Sequence, residues 1–443
     1  MDAILSSVPF VLQQFFATAD TLARQVGFVK RVRKLQPTTF VRVFCLFLIR
    51  YPRASLQQLG DELNLSPSAV CQRLKAKAAA DFLRAMLGSA LKHLTTATLR
   101  SVSIPLLRRF NGVYLVDGTV EPLPASLAHR FAGCGGGEKP DDPSALAAVK
   151  ILLRLRLDIG QAVEMLLDAA RTPDVHLLKR LARLPKGALQ IGDLGFFDSR
   201  YFQKLIRQGA YWLTRLPARV SVRAQEAVWQ ELAPWLGDLD QRDINQWEGL
   251  LEIVKGDPVL ARVFVKRCPP EEAERRRRKL RERMRRKGKT PGERQLILCD
   301  WWVLATNAPI DKLRMSEAFE LYRCRWQIEL VFKRWKSLGG LSIDRGHAEI
   351  RAECELYGKL MGVLIIDWLA IQRGGMLAGV SQWHAWRIVL GLLPQIVLAL
   401  EGQFDWSSVL TDLASRLDRR AKQPRRKKRP STRQRLFRAT LAA

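Results

Sequence analysis

Cysteine and histidine are scarce in this chain. Its 443 residues include seven cysteines and five histidines. The cysteines are odd in number and form no C-x-x-C pair, and no H-E-x-x-H spacing occurs. Disulfide scaffolds, zinc knuckles and histidine-bound zinc enzymes need such pairs or spacings. These three classes are therefore excluded, and the thiols are expected to be reduced and buried or idle.

Hydrophobic runs long enough to cross a membrane are also missing. The apolar stretch Leu360–Ile371 is interrupted by Asp367 and is too short to span a bilayer. The first ten residues, MDAILSSVPF, contain an acid and no basic residue, whereas a secretory signal begins with positive charge. We expect a cytoplasmic protein with no membrane partner.

Acidic residues are few compared with basic ones. The chain has 43 Asp and Glu against 73 Lys and Arg, which gives a net charge of +30 and a pI of about 10.5. Solubility requires far less charge than this, so the excess implies a polyanionic partner, most simply nucleic acid. Hydrophobic residues make up 47% of the chain, which indicates a globular protein and not a disordered one.

The first hundred residues predict helices, including a possible helix-turn-helix. A helix over Leu56–Leu63 is followed by a short turn, and a second helix opens with Ser66 as N-cap and Pro67 at the first helical position. This order is typical of a helix-turn-helix, although plain helical hairpins share it. The basic residues of the second helix favour the DNA-binding version.

Two short apolar strands each end in an aspartate. Gly112–Thr119 reads GVYLVDGT and contains Asp117, and Ala188–Gly195 reads ALQIGDLG and contains Asp193. A carboxylate at the exit of a buried strand is held rigidly at the edge of the sheet, where ligands bind. Taken singly, Asp117 is better explained as an ordinary turn aspartate.

The order of the elements around these strands predicts the fold class. Between the two aspartates lie a strand hairpin over Ala147–Leu167 and a helix over Asp174–Leu184, and a helix and a strand follow Asp193. Two acid-tipped strands in this order indicate an α/β fold of the ribonuclease H-like type, in which these strands lie side by side. Such a core needs a third carboxylate on a later helix, and Glu329 is the candidate.

Basic segments interrupt and follow this core. After strands predicted over Leu250–Lys255 and Ala261–Arg267, the stretch Glu271–Thr290 carries 11 Lys or Arg against 4 Glu. The positive charges of such a helix repel one another unless an anion lies nearby. Arg419–Arg435 holds 10 Lys or Arg with no hydrophobic periodicity, which predicts a disordered basic tail that follows phosphates.

These patterns divide the chain into six predicted segments. They are a helical N-terminal DNA-binding domain (1–105), the first part of the catalytic core (106–218), a β-rich insertion domain with a basic arm (219–295), the second part of the core (296–375), C-terminal helices (376–417) and the disordered tail (418–443).

The stretch Tyr322–Lys336, YRCRWQIELVFKRWK, carries polar residues at steps of three, four and seven. These are Tyr322, Arg325, Glu329 and Lys336. On one continuous helix the steps place all four on one stripe, with Trp326 and other apolar residues on the side that faces a core. A metal and phosphate site needs such a face. An exposed helix with salt bridges is the alternative for this stretch alone.

Three carboxylates brought together would bind two divalent cations. Asp117, Asp193 and Glu329 supply oxygen ligands, which suit magnesium or manganese. Two such ions activate a water or a 3′-hydroxyl and stabilise the leaving oxygen of a phosphoryl transfer. Arg325 and Lys336 would neutralise DNA phosphate beside them.

These residues together resemble the DDE transposases of the insertion-sequence-4 group, which share a Y-R-E-K motif. The resemblance rests on DGT at Asp117, GDLGF at Asp193 and Tyr-x2-Arg-x3-Glu-x6-Lys around Glu329, and it covers roughly residues 111–336. It implies that the three acids bind the catalytic metals. It also implies contacts with the transposon end, for which the candidates are Tyr322, Arg325, Lys336 and Trp326.

The activity that this resemblance implies is cut-and-paste DNA transposition. It consists of metal-dependent cleavage at the element ends and transfer of the 3′-hydroxyl into target DNA. The partners implied are the terminal inverted repeats, target DNA and a second copy of the chain, in the bacterial cytoplasm near the nucleoid. An indole of the insertion would stack on a flipped base, with Trp301 and Trp302 both candidates.

Two alternatives remain open at this point. A metal-dependent ribonuclease H-like nuclease or resolvase would cleave without strand transfer, and it would not require the set Tyr322, Arg325 and Lys336. A non-catalytic DNA-binding relative would not require the three acids, all of which are present.

Overall fold

The chain forms two compact units, each assembled from separated stretches. The computed structural model describes residues 5–31, 34–96, 103–135, 146–224, 227–254, 256–286, 288–344, 346–372, 375–377, 379–423 and 430–441. The first unit comprises Met1–Ser103, Asp117–Pro173 and Gln327–Arg433. The second comprises Ile104–Val116, Asp174–Trp326 and Gln434–Ala443. The six predicted segments stay a prediction.

Helices account for most of the described residues. Their bounds are α1 Val8–Gln25, α2 Pro37–Arg42, α3 Leu48–Arg50, α4 Leu56–Leu63, α5 Pro67–Arg73, α6 Lys77–Thr96, α7 Pro105–Arg108, α8 Asp174–Arg180, α9 Ser199–Arg207, α10 Leu232–Gln241, α11 Pro270–Arg285, α12 Glu293–Ile297, α13 Met315–Arg323, α14 Trp326–Ser337, α15 Glu349–Ala370, α16 Gln382–Leu400, α17 Trp406–Arg420 and α18 Thr432–Leu441. A π-helical turn, Val43–Phe47, joins α2 to α3.

Ten strands are present among the described residues. Their bounds are β1 Val113–Pro122, β2 Ala148–Arg156, β3 Gln161–Ala169, β4 Leu189–Gly192, β5 Tyr211–Arg215, β6 Ser221–Arg223, β7 Gln230–Glu231, β8 Gln246–Val254, β9 Val259–Arg267 and β10 Trp301–Thr306.

Strand order confirms the predicted fold class. In the first unit the order is β3, β2, β1, with β2 and β3 antiparallel. In the second unit the order is β1, β4, β5, β10, β9, β8, β6, β7, with β1, β4 and β5 parallel. A hairpin on one side of β1 and parallel strands on the other is the ribonuclease H-like arrangement. The predicted β-rich interruption is present as β6–β9, which continue the sheet beyond β10.

Helix α15 forms the centre of the first unit, and its side chains from Ala352 to Ala370 are all buried. It packs on α6 and on the π-helical turn. Two glycines permit this approach, since a Cβ at Gly358 would lie 2.5 Å from the Phe44 carbonyl oxygen and one at Gly362 only 2.1 Å from that of Cys45. The apolar run Leu360–Ile371 therefore lies almost entirely within a buried helix. Close backbone contact explains why glycine stands at positions 358 and 362.

The predicted helix-turn-helix geometry is also present in the first unit. Ser55 and Gln58 form a reciprocal capping box at the start of α4. Asn64 ends α4 in the left-handed conformation, and the Ser66 hydroxyl accepts the Ala69 amide hydrogen at the start of α5. A Cβ at Gly60 would lie 2.5 Å from the Leu65 carbonyl oxygen, so glycine allows the tight turn. Its DNA-binding role stays a prediction.

The C-terminal region differs from the sequence prediction. The disordered tail predicted for residues 418–443 is wrong where the structure describes it, because α17 continues to Arg420 and α18 forms over Thr432–Leu441. Leu436 is 0% exposed, and Arg435 lies 3.9 Å from Glu320 of α13 in the second unit. The sequence prediction considered only the charges of this region and overlooked Leu436, the apolar residue that α18 buries. Residues 424–429 lie outside the described residues.

One helix among the described residues, α16, passes a membrane-span test by length and composition. Its mean hydropathy is 1.4, and 39% of the tested window is buried within the protein. The sequence prediction considered only Leu360–Ile371. Core helices of soluble proteins pass the same test, and the Trp386, Val389 and Leu393 side chains of α16 are buried.

Candidate active site

Asp117 and Asp193 each come directly after the last residue pair of the parallel ladder between β1 and β4. In the second unit β1 and β4 pair from Val113 opposite Leu189 to Val116 opposite Gly192. Asp193 is the next residue along β4, and Asp117 is the next along β1, where the chain enters the first unit. The apolar residues before each acid are buried. The predicted strand end is confirmed for Asp193 and wrong for Asp117, because β1 continues to Pro122.

The GDLGF segment fixes the orientation of the Asp193 side chain. Asp193 caps a short 3-10 turn, Leu194–Phe196, and its carboxylate accepts the Gly195 amide hydrogen. A Cβ at Gly195 would lie 3.3 Å from Asp193 Oδ1 and 3.4 Å from Asp174 Oδ2. Glycine therefore lets two carboxylates approach the same turn. Asp117 makes a comparable local bond, accepting the Gly118 amide hydrogen at 2.8 Å.

The predicted single helix over Tyr322–Lys336 is wrong. Helix α13 ends at Arg323 and α14 begins at Trp326, with a tight turn in which the Arg325 amide donates to the Tyr322 carbonyl oxygen at 3.1 Å. Tyr322 and Arg325 consequently belong to the second unit, and Glu329 and Lys336 to the first. The prediction of one stripe rested on one continuous helix, which the structure does not have.

The break also exposes Trp326. Its side chain is 56% exposed, whereas the sequence prediction placed it on the face that packs against a core. The residues that bury α14 are Ile328, Val331, Phe332, Arg334 and Trp335. Trp326 stands at the first position of the new helix, before that packed face begins.

A cluster of half-buried polar groups lies near Asp193 in the second unit. Burial raises the pKa of Tyr322 to about 12, against the nearby charges of Arg215 and Arg325, and Arg325 also hydrogen-bonds to the phenol. Burial likewise lowers the pKa of Arg215, with Tyr322 and Asp193 acting in the opposite direction. The cluster therefore presents a protonated phenol and two guanidinium groups beside one carboxylate.

Sequence reasoning missed Arg215. It is the last residue of β5, which reads YWLTR and pairs in parallel with the Asp193 strand. A signal was available, because a charged residue that ends a buried strand is the same feature that identified Asp117 and Asp193. The rule had been applied to acids alone.

A cleft of about 660 Å³ opens beside this cluster in the second unit. Basic and aromatic side chains dominate its lining, with two acids among them. Its basic and aromatic lining side chains are Arg215, Lys266, Arg275, Arg276, Trp302, Phe319, Tyr322, Arg323, Arg325 and Trp326. Such a mixture of guanidinium groups and rings suits phosphates and bases of a nucleic acid strand.

The cleft also distinguishes between Trp301 and Trp302, the two tryptophans that the sequence offered as candidates for base stacking. Trp302 lines it, whereas Trp301 is 2% exposed. Trp301 packs inside the sheet, where the Arg267 guanidinium lies 5.3 Å from the centre of its ring. Neighbouring residues on a strand point to opposite faces, so only one of the pair can reach the cleft.

Lys336 contacts strand β1 within the first unit. Its Nζ donates to the Val120 carbonyl oxygen at 2.7 Å and lies 3.3 Å from the Glu121 carboxylate. Glu121 is buried. In the structure it is an ion-pair partner of Lys336. Asp117 and Glu121 are four residues apart on one strand, and Glu329 and Lys336 are seven apart on α14.

Two buried carboxylates hold the helices that carry these residues. In the first unit Asp367 accepts hydrogen bonds from Arg334 and from the indole nitrogens of Trp335 and Trp386. In the second unit Glu317 is 0% exposed, pairs with Arg109 at 2.8 Å and accepts the Arg314 amide hydrogen at the start of α13. Both helices are thus anchored by hydrogen-bonded charges and not by apolar packing alone.

The predicted metal ligands are divided between the units. Among the residues that the structure describes, no group of three or more His, Cys, Asp or Glu side chains lies close enough to hold a metal ion. Asp117 and Glu329 belong to the first unit and Asp193 to the second. Their carboxylate oxygens are of the kind that magnesium or manganese prefers. Their assignment as ligands stays a prediction.

Comparison with known proteins supplies the identification. The sequence model of a family described as a transposase DDE domain matches residues 108–365, more than half of the chain. The chain belongs to the DDE transposases. The matched range includes Asp117, Asp193, Glu329 and the rest of the Y-R-E-K residues, so the resemblance drawn from the sequence is confirmed.

Several curated transposases are similar to this chain over most of their length. The transposase for insertion sequence element IS231F of Bacillus thuringiensis subsp. israelensis is 26% identical over 393 residues, covering 81% of this chain and 79% of that protein. The transposase for IS1151 of Clostridium perfringens is 22% identical over 347 residues, covering 73% and 72%. This DDE transposase is therefore an enzyme of DNA transposition, and the insertion-sequence-4 group fits it.

A solved structure is also similar to this transposase. The piggyBac transposase in a synaptic complex with hairpin DNA matches with a TM-score of 0.48 and 9% identity, covering 96% of this chain and 87% of that one.

Proposed function

We propose that this transposase cleaves DNA at the ends of its element and transfers the 3′-hydroxyl into target DNA, with Asp117, Asp193 and Glu329 as metal-binding catalytic residues. The parallel pairing of β1 with β4 is the observation that best supports this assignment. Its last pair, Val116 and Gly192, directly precedes Asp117 and Asp193. Parallel strands end at the same edge of a sheet, so two acids that follow one ladder pair start from neighbouring backbone positions.

The spacing of residues in the first unit supports the assignment of Glu329. Lys336 is in contact with Glu121 and Val120 of β1. Glu329 lies seven residues earlier on α14, about 10 Å along a helix, and Asp117 lies four residues before Glu121, about 13 Å along a strand. These lengths are similar, so a parallel course of α14 along β1 would bring Glu329 opposite Asp117.

Phosphoryl transfer at this site follows from the chemistry of the residues. Divalent cations held by the three carboxylates would supply activation of the attacking oxygen and stabilisation of the leaving oxygen. The phenol of Tyr322 keeps its proton and donates a hydrogen bond to a phosphate oxygen. Arg325 and Arg215 neutralise phosphate charge in a partly desolvated cluster, where each ion pair is stronger than in water.

The second-unit cleft is the proposed seat of the element end. Tyr322, Arg325 and Trp326 line it, and these are three of the four residues predicted to contact DNA. Trp302 of β10 is the tryptophan that we assign to base stacking, because Trp301 is buried. Lys336, the fourth predicted contact, would exchange its Glu121 partner for a DNA phosphate.

Assembly and location are inferred from the same family membership. We propose that two copies of the chain hold two element ends together, and that the protein acts on DNA in the bacterial cytoplasm. Its net charge of +30 favours association with the nucleoid through phosphate contacts.

Cleavage and joining assays test this proposal directly. Labelled DNA carrying the terminal repeats of the element is incubated with Mg²⁺ and the wild type, Asp117→Asn, Asp193→Asn or Glu329→Gln. Each substitution is expected to abolish cleavage and joining, because it removes a charged ligand. Binding of the same DNA should stay within about twofold, since affinity rests on cations.

A matched control separates catalysis from charge. Asp238→Asn removes one negative charge from an exposed position of α10 and should leave cleavage unchanged. Cleavage without joining by the wild type would instead identify a nuclease. Full activity in any of the three variants would remove that acid from the proposed site.

A further inference from the structure

The second half of α11 and the residues after it carry a dense positive charge that the proposed chemistry does not use. Residues 278–289, here called the α11 arm, contain eight Lys or Arg and one acid, Glu282. The helix itself ends at Arg285. The first half of the helix is different, because its acids Glu272 and Glu274 pair with Arg275, Arg277 and Arg281. Charge is thus balanced at the start of α11 and unbalanced towards its end.

The start of α11 is fixed to the sheet of the second unit. Arg276 donates to the Cys268 sulfur at 2.7 Å, to the Trp301 carbonyl oxygen at 2.8 Å and to the Leu298 carbonyl oxygen at 2.9 Å. Arg277 pairs with Asp300. A helix anchored in this way presents the α11 arm at a defined position.

The cations of the α11 arm face away from this anchor. Arg278, Lys279, Arg283, Arg285 and Arg286 are exposed, and none of them has an ion-pair partner among the described residues. At about 100° per residue they occupy an arc of about 160°. Ala273 and Leu280, which are buried, lie on the other side of the helix.

We propose that the α11 arm binds the phosphate backbone of the target duplex. Five cations without ion-pair partners in the described part of the chain share this exposed face with a single acid, Glu282, so the face keeps an excess of positive charge. Like charges on it repel each other, and a polyanion relieves this repulsion. Residues 278–289 contain no amide, hydroxyl or aromatic side chain. Phosphate contacts carry no sequence information, so this surface suits DNA of any sequence. An element end has a fixed sequence, whereas a target duplex does not.

The contrast with the cleft supports this division of labour. Four aromatic side chains line the cleft, namely Trp302, Phe319, Tyr322 and Trp326. Arg275 and Arg276, on the first half of α11, line it too. One helix would then contact the element end at its start and the target duplex along the α11 arm. This inference rests on the proposed function.

The test uses the full-length protein with four arginines of the α11 arm replaced. Arg278→Ala, Arg283→Ala, Arg285→Ala and Arg286→Ala are combined in one variant. Four lost phosphate contacts should reduce the slope of log affinity against log salt by about 3 to 4 for random-sequence duplex DNA. Joining into a target duplex should fall by at least about tenfold, while cleavage at the element ends stays within about twofold.

Two further variants make the result decisive. A control with Arg183→Ala, Arg207→Ala, Arg219→Ala and Arg242→Ala removes the same charge from exposed positions of the second unit and should leave the salt slope nearly unchanged. Replacing the four α11 arginines by lysine keeps the charge and should preserve both binding and joining.

The possible failures are distinguishable. Equal loss in the α11 and control variants, or joining unaffected by the alanine variant, would overturn the role of the α11 arm. Loss confined to element-end cleavage would assign the arm to the element end and also overturn it. A wild type that neither cleaves nor joins would overturn the proposed function itself.

Discussion

At the scale of single residues, burial sets the chemistry around Asp193. The phenol of Tyr322 has its pKa raised by desolvation, and the same cause lowers the pKa of Arg215. The two effects favour the neutral phenol and oppose the charged guanidinium, and Asp193 helps to retain the charge on Arg215. The cluster therefore offers hydrogen-bond donors at every pH at which the enzyme would work.

Replacing Tyr322 by phenylalanine tests this arrangement. The variant should lower element-end cleavage about tenfold, because a hydrogen bond to a charged phosphate is lost. Burial raises the pKa of Tyr322 to about 12, so its proton is retained below that pH and lost only above it. The ratio of wild-type to variant rates should therefore be constant between about pH 6 and pH 9.

Rates measured onwards to about pH 11 check the sign of the pKa shift. A ratio that falls between about pH 9 and pH 11 would mean that the phenol ionises near its ordinary pKa, contrary to its burial. Tyr51→Phe, at a largely exposed position, provides the control and should leave the rate unchanged.

At the scale of elements, contact between backbones decides where helices can lie. Gly362 lets α15 approach the π-helical turn so closely that a methyl group has no room. Gly88, in the middle of α6, has nothing within 4 Å of the position that a Cβ would occupy. The same residue type thus has a packing role in one helix and none in the other.

Alanine substitutions at these two glycines should shift stability in opposite directions. Gly362→Ala should lower the free energy of unfolding by about 1–3 kcal/mol, since overpacking forces the backbones apart. Gly88→Ala should raise it by about 0.5–1 kcal/mol, because alanine is the better helix former. Urea unfolding of both variants provides the measurement. Stabilisation by Gly362→Ala would contradict the close approach.

At the scale of the whole molecule, charge governs how the protein meets DNA. The net charge of +30 is concentrated in separate segments, of which the α11 arm and the C-terminal region are the densest. Residues 424–443 contain eight Lys or Arg and no acid. Part of this region folds, since Leu436 is buried in α18 and Arg435 lies 3.9 Å from Glu320.

Removing the five cations at positions 425–429 should weaken DNA binding without changing specificity. Their replacement by alanine is expected to lower affinity for element-end and random-sequence DNA by equal factors, because lysine and arginine attract the phosphates of any sequence alike. Parallel titrations at several salt concentrations measure both affinities. A loss limited to the element end would show that this segment reads bases.

Much of the local structure was readable from the sequence. The apolar runs before Asp117 and Asp193 predicted two buried strands, and the structure has both, although β1 continues beyond Asp117 to Pro122. Ser66 and Pro67 predicted the start of α5. These signals depend on residues close together in the chain, so period, capping and charge are enough to identify them.

Other features depended on contacts between distant parts of the chain. The turn between α13 and α14 separates Tyr322 from Glu329, although the intervening sequence has good helical periodicity. Glu317 and Asp367 anchor the two helices from opposite sides of this turn through partners far away in sequence. Periodicity predicts the faces of a helix and does not report where tertiary anchors interrupt it.

The sequence by itself determined the class of chemistry, through its acids, its cations and the order of its strands. Only the tertiary structure decided which neighbours those residues have. It paired Lys336 with Glu121, buried Arg215 beside Asp193 and separated Trp302 from Trp301. The reason is that a side chain's chemical type is fixed by the genetic sequence, whereas its exposure and charge partners arise from residues brought together by folding.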